Sequence, residues 1–226
     1  MQLPYANRRD AGRVLAEHMS GYRGRGDLLV LALPRGGVPV AYELAEALEA
    51  PLDLIIVRKL GVPGQEELAM GALASGGAMV INRDVVTALG VSDDSIAAVV
   101  ARERRELERR ERAYRGNRPP PQVAGRAVIL VDDGLATGST MLAAVSALRE
   151  LHPSQMIVAV PVAPPETCEA FRKEVDAIIC AATPRMFRGV GAWYLDFEQT
   201  SDEEVHELLE AAWARTSAEP ARTHRD

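Results

Sequence analysis

The stretch AVILVDDGLATGSTMLAAVSALREL, residues 127–151, contains a strand pattern, a polar loop and a helix pattern in direct succession. Residues 127–131 form a continuous apolar run, which is typical of a strand buried on both faces of a parallel sheet. From Ser139 onward, apolar residues recur at helical spacing. The loop between them therefore lies where open α/β sheets bind their ligands, at the carboxyl end of a strand.

Four further apolar runs alternate with helical patterns along the chain. They are residues 28–33, 52–57, 156–162 and 177–182. Alternating strands and helices indicate the α/β class. We therefore predict an open, mostly parallel, twisted sheet with helices on both faces.

Length, charge and cysteine content limit the classes of protein to consider. The 226 residues and their 47% hydrophobic content suit one domain with a sizeable core. A formal net charge of −6 argues against nucleic-acid binding, and no apolar run predicts a signal peptide or a membrane partner, so we expect a soluble, cytoplasmic protein. Cys168 and Cys180 are too few for a disulfide framework, and we expect reduced, buried packing residues.

The loop after residue 131 has the composition of a phosphate cradle. Gly134 and Gly138 allow successive N–H groups to turn toward one point, while Ser139 and Thr140 add hydroxyls at the start of a helix. This stretch has neither the glycine and lysine spacing of a triphosphate P-loop nor the glycine spacing of a dinucleotide-binding loop. Two carboxylates beside a phosphate need another partner, such as a sugar diol or hydrated magnesium. The stretch predicts a site for a phosphorylated sugar.

Four apolar residues, Asp132-Asp133 and then Gly-Leu-Ala-Thr-Gly-Ser-Thr resemble the signature of the type I phosphoribosyltransferases. The resemblance implies that Asp132 and Asp133 hold the ribose hydroxyls of phosphoribosyl pyrophosphate (PRPP), with Mg²⁺ as cofactor. It implies that the 5-phosphate binds the loop formed by Gly134, Leu135, Ala136, Thr137, Gly138, Ser139 and Thr140.

A second strand, glycine turn and helix occur in LALPRGGVPVAYELAEAL, residues 31–48. The resemblance implies that Arg35, Gly36 and Gly37 bind the pyrophosphate of the donor. It also implies a non-proline cis peptide at Pro34–Arg35. Taken alone, the same residues fit an ordinary turn.

A loop rich in glycine and proline follows Arg58 and Lys59, which we expect to close the preceding strand. The family carries a lid at this place, so the resemblance implies that both cations neutralise the leaving pyrophosphate. Charges at a strand end in solvent are the alternative. Lids in this family often borrow residues from a neighbouring subunit, which leaves a homo-oligomer open.

The aromatic segment 183–200 is expected to form a small hood that reads the acceptor. Phe187, Trp193 and Tyr194 are candidates for stacking on a flat base. Residues 190–197 loosely resemble the hood of 6-oxopurine phosphoribosyltransferases, which implies that Asp196 helps to bind magnesium. Aromatic core packing, with a helix cap at Ser201, is the alternative. Alanine at position 136 matches adenine and orotate enzymes instead, so the acceptor stays unassigned.

We expect one domain over residues 1–215, with a helical insertion at 92–122 and a disordered tail at 216–226. The Arg/Glu-rich insertion fits a solvated helix, a subunit contact or an arm over the site. The leading hypothesis is a magnesium-dependent transferase that moves ribosyl phosphate from PRPP to a nitrogen of a nucleobase or related small molecule. A binding protein that senses PRPP without turnover is the alternative.

Overall fold

The structure, a computed structural model, describes residues 3–218. Its strands are β1 (Leu28–Ala32), β2 (Leu52–Leu54), β3 (Val57–Val62), β4 (Gln65–Ala74), β5 (Met79–Ile81), β6 (Ala127–Val131), β7 (Gln155–Val162) and β8 (Ala177–Ala182). Its α-helices are α1 (Arg8–His18), α2 (Gly37–Leu48), α3 (Arg83–Ala88), α4 (Asp93–Arg115), α5 (Ser139–Arg149), α6 (Pro165–Phe171) and α7 (Asp202–Ala218).

Five strands form one parallel sheet in the order β2-β1-β6-β7-β8. Every residue of β1 and β6 is buried, as the apolar runs predict. Val30 and Ile129 pack in a core with residues of α2 and α7, whereas Leu31 and Leu130 pack with α5 and α6. The predicted open parallel sheet, with helices on both faces, is confirmed.

Three strands form a separate antiparallel sheet in the order β3-β4-β5. The sequence predicts one strand over 52–57, but β2 ends at Leu54 and Val57 begins β3. The chain leaves the parallel sheet because Ile56 donates its N–H to Ser75 Oγ at 2.9 Å, and Ser75 donates its own N–H to Ile56 O at 2.9 Å. Arg58 and Lys59 therefore lie near the start of β3 and do not close the preceding strand.

Helix α4, inside the predicted insertion, is fastened to the edge of the parallel sheet. The side chain of Arg115 is only 2% exposed, and its Nε donates to Asp53 Oδ1 at 2.8 Å. The same guanidinium donates to Glu111 Oε1 at 3.0 Å and to Leu54 O. The buried Arg115 therefore anchors α4 to the parallel sheet. The helix is not simply the solvated helix that its Arg/Glu-rich composition fits.

The expectation of two separate, reduced cysteines is wrong. Cys168 on α6 and Cys180 on β8 form a disulfide, with their Cα atoms 6.9 Å apart. Helix α6 directly precedes β8 and packs against it, so residues twelve positions apart meet across that contact. The bond links a helix to the outermost strand of the parallel sheet.

The predicted tail begins inside a helix. Helix α7 continues to Ala218, so residues 216–218 are helical and the expectation of disorder is wrong for them. The remainder of the predicted tail, 219–226, lies outside the described residues. Within residues 3–218, no helix is both long and apolar enough to cross a membrane.

We expect Asp53→Ala to lower the free energy of unfolding by about 3 kcal/mol, because it leaves a buried guanidinium short of its carboxylate. Urea denaturation at neutral pH measures this change. Glu46→Ala, which removes an exposed ion pair with Arg215, is the matched control and should cost at most about 1 kcal/mol. Equal losses in the two variants would contradict the structural role given to Asp53.

Candidate functional site

Two loops meet at the carboxyl ends of β1 and β6. These strands are parallel neighbours, with Ala32 opposite Val131, and Leu33 donates its N–H to Val131 O at 2.9 Å. After β1 the chain passes through α2 to β2, and after β6 it passes through α5 to β7 on the other side. The strand order therefore reverses here, which leaves a crevice of the kind where α/β sheets bind ligands.

The acidic pair, Asp132 and Asp133, lies at the bottom of this crevice. Asp132 Oδ1 accepts the backbone N–H of Asp133 at 2.9 Å, which holds its carboxylate against the strand end. Asp133 Oδ2 accepts Arg8 Nε at 2.8 Å. A Cβ added at Gly36 would collide with Asp133 Oδ2. Glycine at position 36 therefore lets the first loop approach the Asp133 carboxylate without displacing it from Arg8.

Both carboxylates are held in surroundings that disfavour their charge. Burial, and next the neighbouring Asp133 carboxylate, raise the pKa of Asp132 well above the usual range of an aspartate. Burial also raises the pKa of Asp133, although the hydrogen bond and charge of Arg8 act in the opposite direction. The pair is therefore poised to gain from a ligand that brings hydroxyl donors or positive charge.

The predicted phosphate loop is a strand-to-helix turn with exposed polar groups. Ala136, Thr137, Ser139 and Thr140 are exposed, and the Thr137 and Ser139 hydroxyl oxygens lie 3.0 Å apart. Gly138 precedes α5 with a φ of 71° and so takes a backbone conformation that favours glycine. The first N–H groups of α5 lie at this turn, and that of Ser139 donates to Thr137 Oγ1 at 3.4 Å. Helix N-termini of this kind favour anions.

The remaining loop residues fasten the turn to the body of the protein. Leu135 is 3% exposed and packs in the core, and its N–H donates to Val162 O at 2.9 Å. Gly134 is buried beside Val190 of the hood segment. The Thr167 hydroxyl donates to Ala136 O at 2.8 Å. Leu135 therefore acts on the loop through packing, while the exposed residues face outward.

The first loop presents Arg35 beside a carboxylate from another part of the chain. The peptide bond between Pro34 and Arg35 is cis, as the resemblance implies. Arg35 NH1 lies 3.4 Å from Asp202 Oδ1, at the start of α7. The Tyr114 hydroxyl of α4 donates to the same oxygen at 2.8 Å. Asp202 thus joins the first loop to α4.

One cleft of about 540 Å³ opens over these groups. Its lining residues are Arg8, Pro34, Arg35, Gly36, Arg109, Arg110, Ala113, Tyr114, Asp133, Phe197, Gln199, Thr200 and Asp202. The cleft therefore brings together the first loop, Asp133 of the acidic pair, the end of the hood and α4. Of the alternatives for the insertion, an arm over the site matches this arrangement.

Arg58 and Lys59 lie outside the lining of the cleft. Arg58 donates from Nε to Glu103 Oε2 of α4 at 2.8 Å. Burial raises the pKa of Glu103, whereas hydrogen bonds from Arg58 and Arg102 lower it. The lowering effects together are larger, so the pKa of Glu103 lies below its usual value. Lys59 is exposed on β3. In this conformation Arg58 serves as a contact between β3 and α4.

The predicted base-stacking aromatics pack within the hood. Tyr194 is 6% exposed, and its hydroxyl donates to Asp133 O at 2.5 Å. Phe187 and Trp193 are partly buried in the same apolar cluster. Ser201 Oγ accepts the N–H of Glu204, so the predicted helix cap is present. Tyr194 therefore supports the acidic pair from behind, and its ring does not line the cleft.

Asp196, the predicted metal helper, is exposed and lies outside the cleft lining. Its Oδ1 accepts the backbone N–H of Glu198 at 3.1 Å. Among residues 3–218 there is no group of three or more His, Cys, Asp or Glu side chains that could hold a metal ion.

Sequence reasoning missed Arg8 and Phe197. The Arg8 guanidinium lies 3.9 Å from the centroid of the Phe197 ring, and its NH1 donates to Glu198 O at 2.6 Å. Phe197 is thus the aromatic ring of the hood that lines the cleft. The position of Phe197 near the end of the hood could have indicated this role. No sequence motif marks Arg8, which reaches the site from α1.

Comparisons with known proteins agree with this geometry. The family described as phosphoribosyl transferase domain matches residues 5–183. A crystal structure of a Thermus thermophilus protein is similar with a TM-score of 0.81 and 41% identity, covering 91% of this chain and 97% of that one. The chain therefore belongs to the phosphoribosyltransferase family, with the type I fold.

Relatives named "Putative phosphoribosyl transferase" occur in two Mycobacterium tuberculosis strains. Each is 43% identical over 208 residues, which cover 92% of this chain and 47% of the relative. This chain therefore spans about half the length of the curated relatives it matches.

We expect Asp132→Asn to stabilise the protein near neutral pH. The raised pKa means that ionising Asp132 opposes folding above the ordinary aspartate pKa of about 3.9, so stability falls as pH rises through that range toward the folded-state pKa. Asparagine removes this cost and can still accept the Asp133 N–H. Urea midpoints measured across pH should show a gain at about pH 7 that vanishes below about pH 4.

Asp94→Asn, in the exposed first turn of α4, is the control and should show no such gain. A wild type as stable as Asp132→Asn at neutral pH would contradict the electrostatic cost assigned to the acidic pair.

Proposed function

We propose that this protein transfers the 5-phosphoribosyl group of PRPP to a nitrogen of a nucleobase or related small molecule, with release of pyrophosphate. The observation that carries the proposal is the meeting of two glycine loops and an acidic pair at one reversal of strand order. Gly36 lies so close to Asp133 that an added Cβ would displace the Asp133 carboxylate from its position. Such an arrangement suits a ligand with a phosphate at each end and a diol between them.

Each end of the donor has a matching group in this proposal. The exposed loop over residues 136–140, with the N–H groups of α5, binds the 5-phosphate. Asp132 and Asp133 accept hydrogen bonds from the ribose hydroxyls, which offsets the burial that raises their pKa. Arg35 and the backbone of Gly36 and Gly37 bind the pyrophosphate.

The proposed reaction exchanges one bond at C1 of the ribose. The bond from C1 to the pyrophosphate oxygen breaks and its electron pair leaves with pyrophosphate, while a lone pair of the acceptor nitrogen forms the new bond. A proton leaves that nitrogen for solvent. Because the ring gains positive charge during the exchange, negative groups at Asp132 and Asp133 stabilise the transition state.

Arg8 and Tyr194 hold the acidic pair in place for this role. Arg8 donates to the Asp133 carboxylate and Tyr194 donates to the Asp133 backbone oxygen. The two contacts come from opposite ends of the chain and restrict both the side chain and the backbone of one residue. Preorganised charge of this kind costs little rearrangement during the reaction.

The residues around the acidic pair fit a magnesium ion bound together with the donor. Two buried carboxylates with raised pKa values favour added positive charge, and magnesium is commonly held by one or two carboxylates, substrate phosphates and water. When bound, the ion would neutralise charge on the pyrophosphate as it leaves. We propose that Asp132 and Asp133 together bind this ion. A part for Asp196 in binding it rests on the family resemblance alone.

The acceptor is proposed to lie between the acidic pair and the hood. Phe197 brings an aromatic ring to this region, with the Arg8 guanidinium over one face. Phe187, Trp193 and Tyr194 pack in the hood behind it. Lys59, exposed on β3, is the lid cation free to approach the leaving pyrophosphate, whereas Arg58 would first have to leave Glu103.

The first experiment is pyrophosphate release from PRPP with magnesium, assayed against hypoxanthine, guanine, xanthine, adenine, uracil and orotate. We expect one acceptor to give turnover, and Asp133→Asn to lower that turnover by about a hundredfold or more with a similar melting temperature. Asp94→Asn is the matched control and should keep full turnover.

Undiminished turnover in Asp133→Asn would contradict the role of the acidic pair. Silence across the panel, with PRPP binding still measurable by calorimetry, would favour a PRPP sensor over an enzyme. A wild type that shows neither turnover nor PRPP binding would overturn the proposed function.

A further inference from the structure

Helix α4 forms one wall of the cleft, although the sequence assigns no activity to it. Arg109, Arg110 and Tyr114 of this helix line the cleft together with Arg35 and Asp133. The helix belongs to the segment expected to be an insertion, so these residues lie outside the motifs that carry the family resemblance.

The α4 wall carries more positive than negative charge. Arg109 donates from Nε and NH2 to Glu106 at 2.8 and 3.0 Å, and Arg110 Nε donates to the same carboxylate at 2.7 Å. These hydrogen bonds lower the pKa of Glu106 to about 2, so it carries one full negative charge at neutral pH. Two guanidiniums sharing one carboxylate leave an excess of one positive charge facing the cleft.

This wall lies on the Arg35 side of the cleft. Tyr114 follows Arg110 by one helical turn, and its hydroxyl donates to Asp202 Oδ1 at 2.8 Å. Arg35 NH1 lies 3.4 Å from that same oxygen. A single carboxylate oxygen therefore joins α4 to the loop proposed to bind pyrophosphate.

The turn that carries Arg109 and Arg110 is held at both ends. Before it, Glu103 accepts Arg58 Nε at 2.8 Å. After it, the buried Arg115 donates to Asp53 Oδ1 at 2.8 Å. The backbone beneath the two arginines is therefore fixed in position relative to both sheets before any ligand arrives, which reduces the entropy lost on binding.

We propose that α4 completes the pyrophosphate site, with Arg109 and Arg110 binding the phosphate that projects beyond Arg35. This inference rests on the proposed function and adds Arg109 and Arg110 to Lys59 as cations that neutralise the leaving pyrophosphate. Arg58 is instead the residue that holds α4 in place through Glu103. The ligand class is a diphosphate, either as part of the donor or as the free leaving group.

The test is calorimetric binding of inorganic pyrophosphate, with magnesium, to the full chain and to the double variant Arg109→Gln/Arg110→Gln. We expect pyrophosphate affinity to fall by at least about tenfold, because charge-assisted hydrogen bonds are lost. Ribose 5-phosphate, which lacks the diphosphate, should bind the variant and the wild type equally. Arg104→Gln removes the same charge from an exposed position of α4 outside the cleft lining and should change neither affinity.

Equal pyrophosphate affinity in the double variant and the wild type would overturn the proposal, as would a wild type that does not bind pyrophosphate. Equal loss of ribose 5-phosphate binding would also overturn it, by indicating a general disturbance of the cleft. A rise in the acceptor KM without a change in pyrophosphate affinity would assign α4 to the acceptor instead. A wild type that binds pyrophosphate through α4 but turns over no acceptor would leave this inference standing while the transfer reaction fails.

Discussion

The parallel pairing of β1 with β6 is the constraint on which the rest of the site depends. Both strands end at the same level, and the hydrogen bond from Leu33 to Val131 fixes the two exits side by side. The following helices then lead away in opposite directions, so both loops open into one crevice. Gly37 lets the two backbones approach, because an added Cβ would lie 2.7 Å from Val131 O, and Gly36 leaves room for the Asp133 carboxylate.

Placing two carboxylates at the end of a buried strand is costly, and contacts from distant parts of the chain offset that cost. Arg8 supplies positive charge from α1, while Tyr194 holds the backbone from the hood. The backbone hydrogen bonds that join Tyr5 to Trp193 and Leu195 bring those two regions together. The N-terminal residues and the hood therefore form one support beneath the acidic pair. A change in either should alter the position of Asp133.

Helix α4 connects three regions that the family resemblance treats separately. It contacts the antiparallel sheet through Arg58, the edge of the parallel sheet through Asp53, and the start of α7 through Asp202. Through these contacts, α4 links the candidate lid, the core and the cleft. A helix that looks like solvated surface in composition is thus placed to influence ligand binding.

The sequence alone determined the parallel sheet, the two glycine loops and the acidic pair, because apolar runs, helical spacing and glycine requirements are local properties. Only the tertiary structure decided which partners meet: Arg8 with Asp133, Arg58 with Glu103, and Cys168 with Cys180. It also decided that Tyr194 packs inward while Phe197 lines the cleft. These outcomes depend on how elements far apart in the chain pack together, and no spacing within one segment encodes that packing.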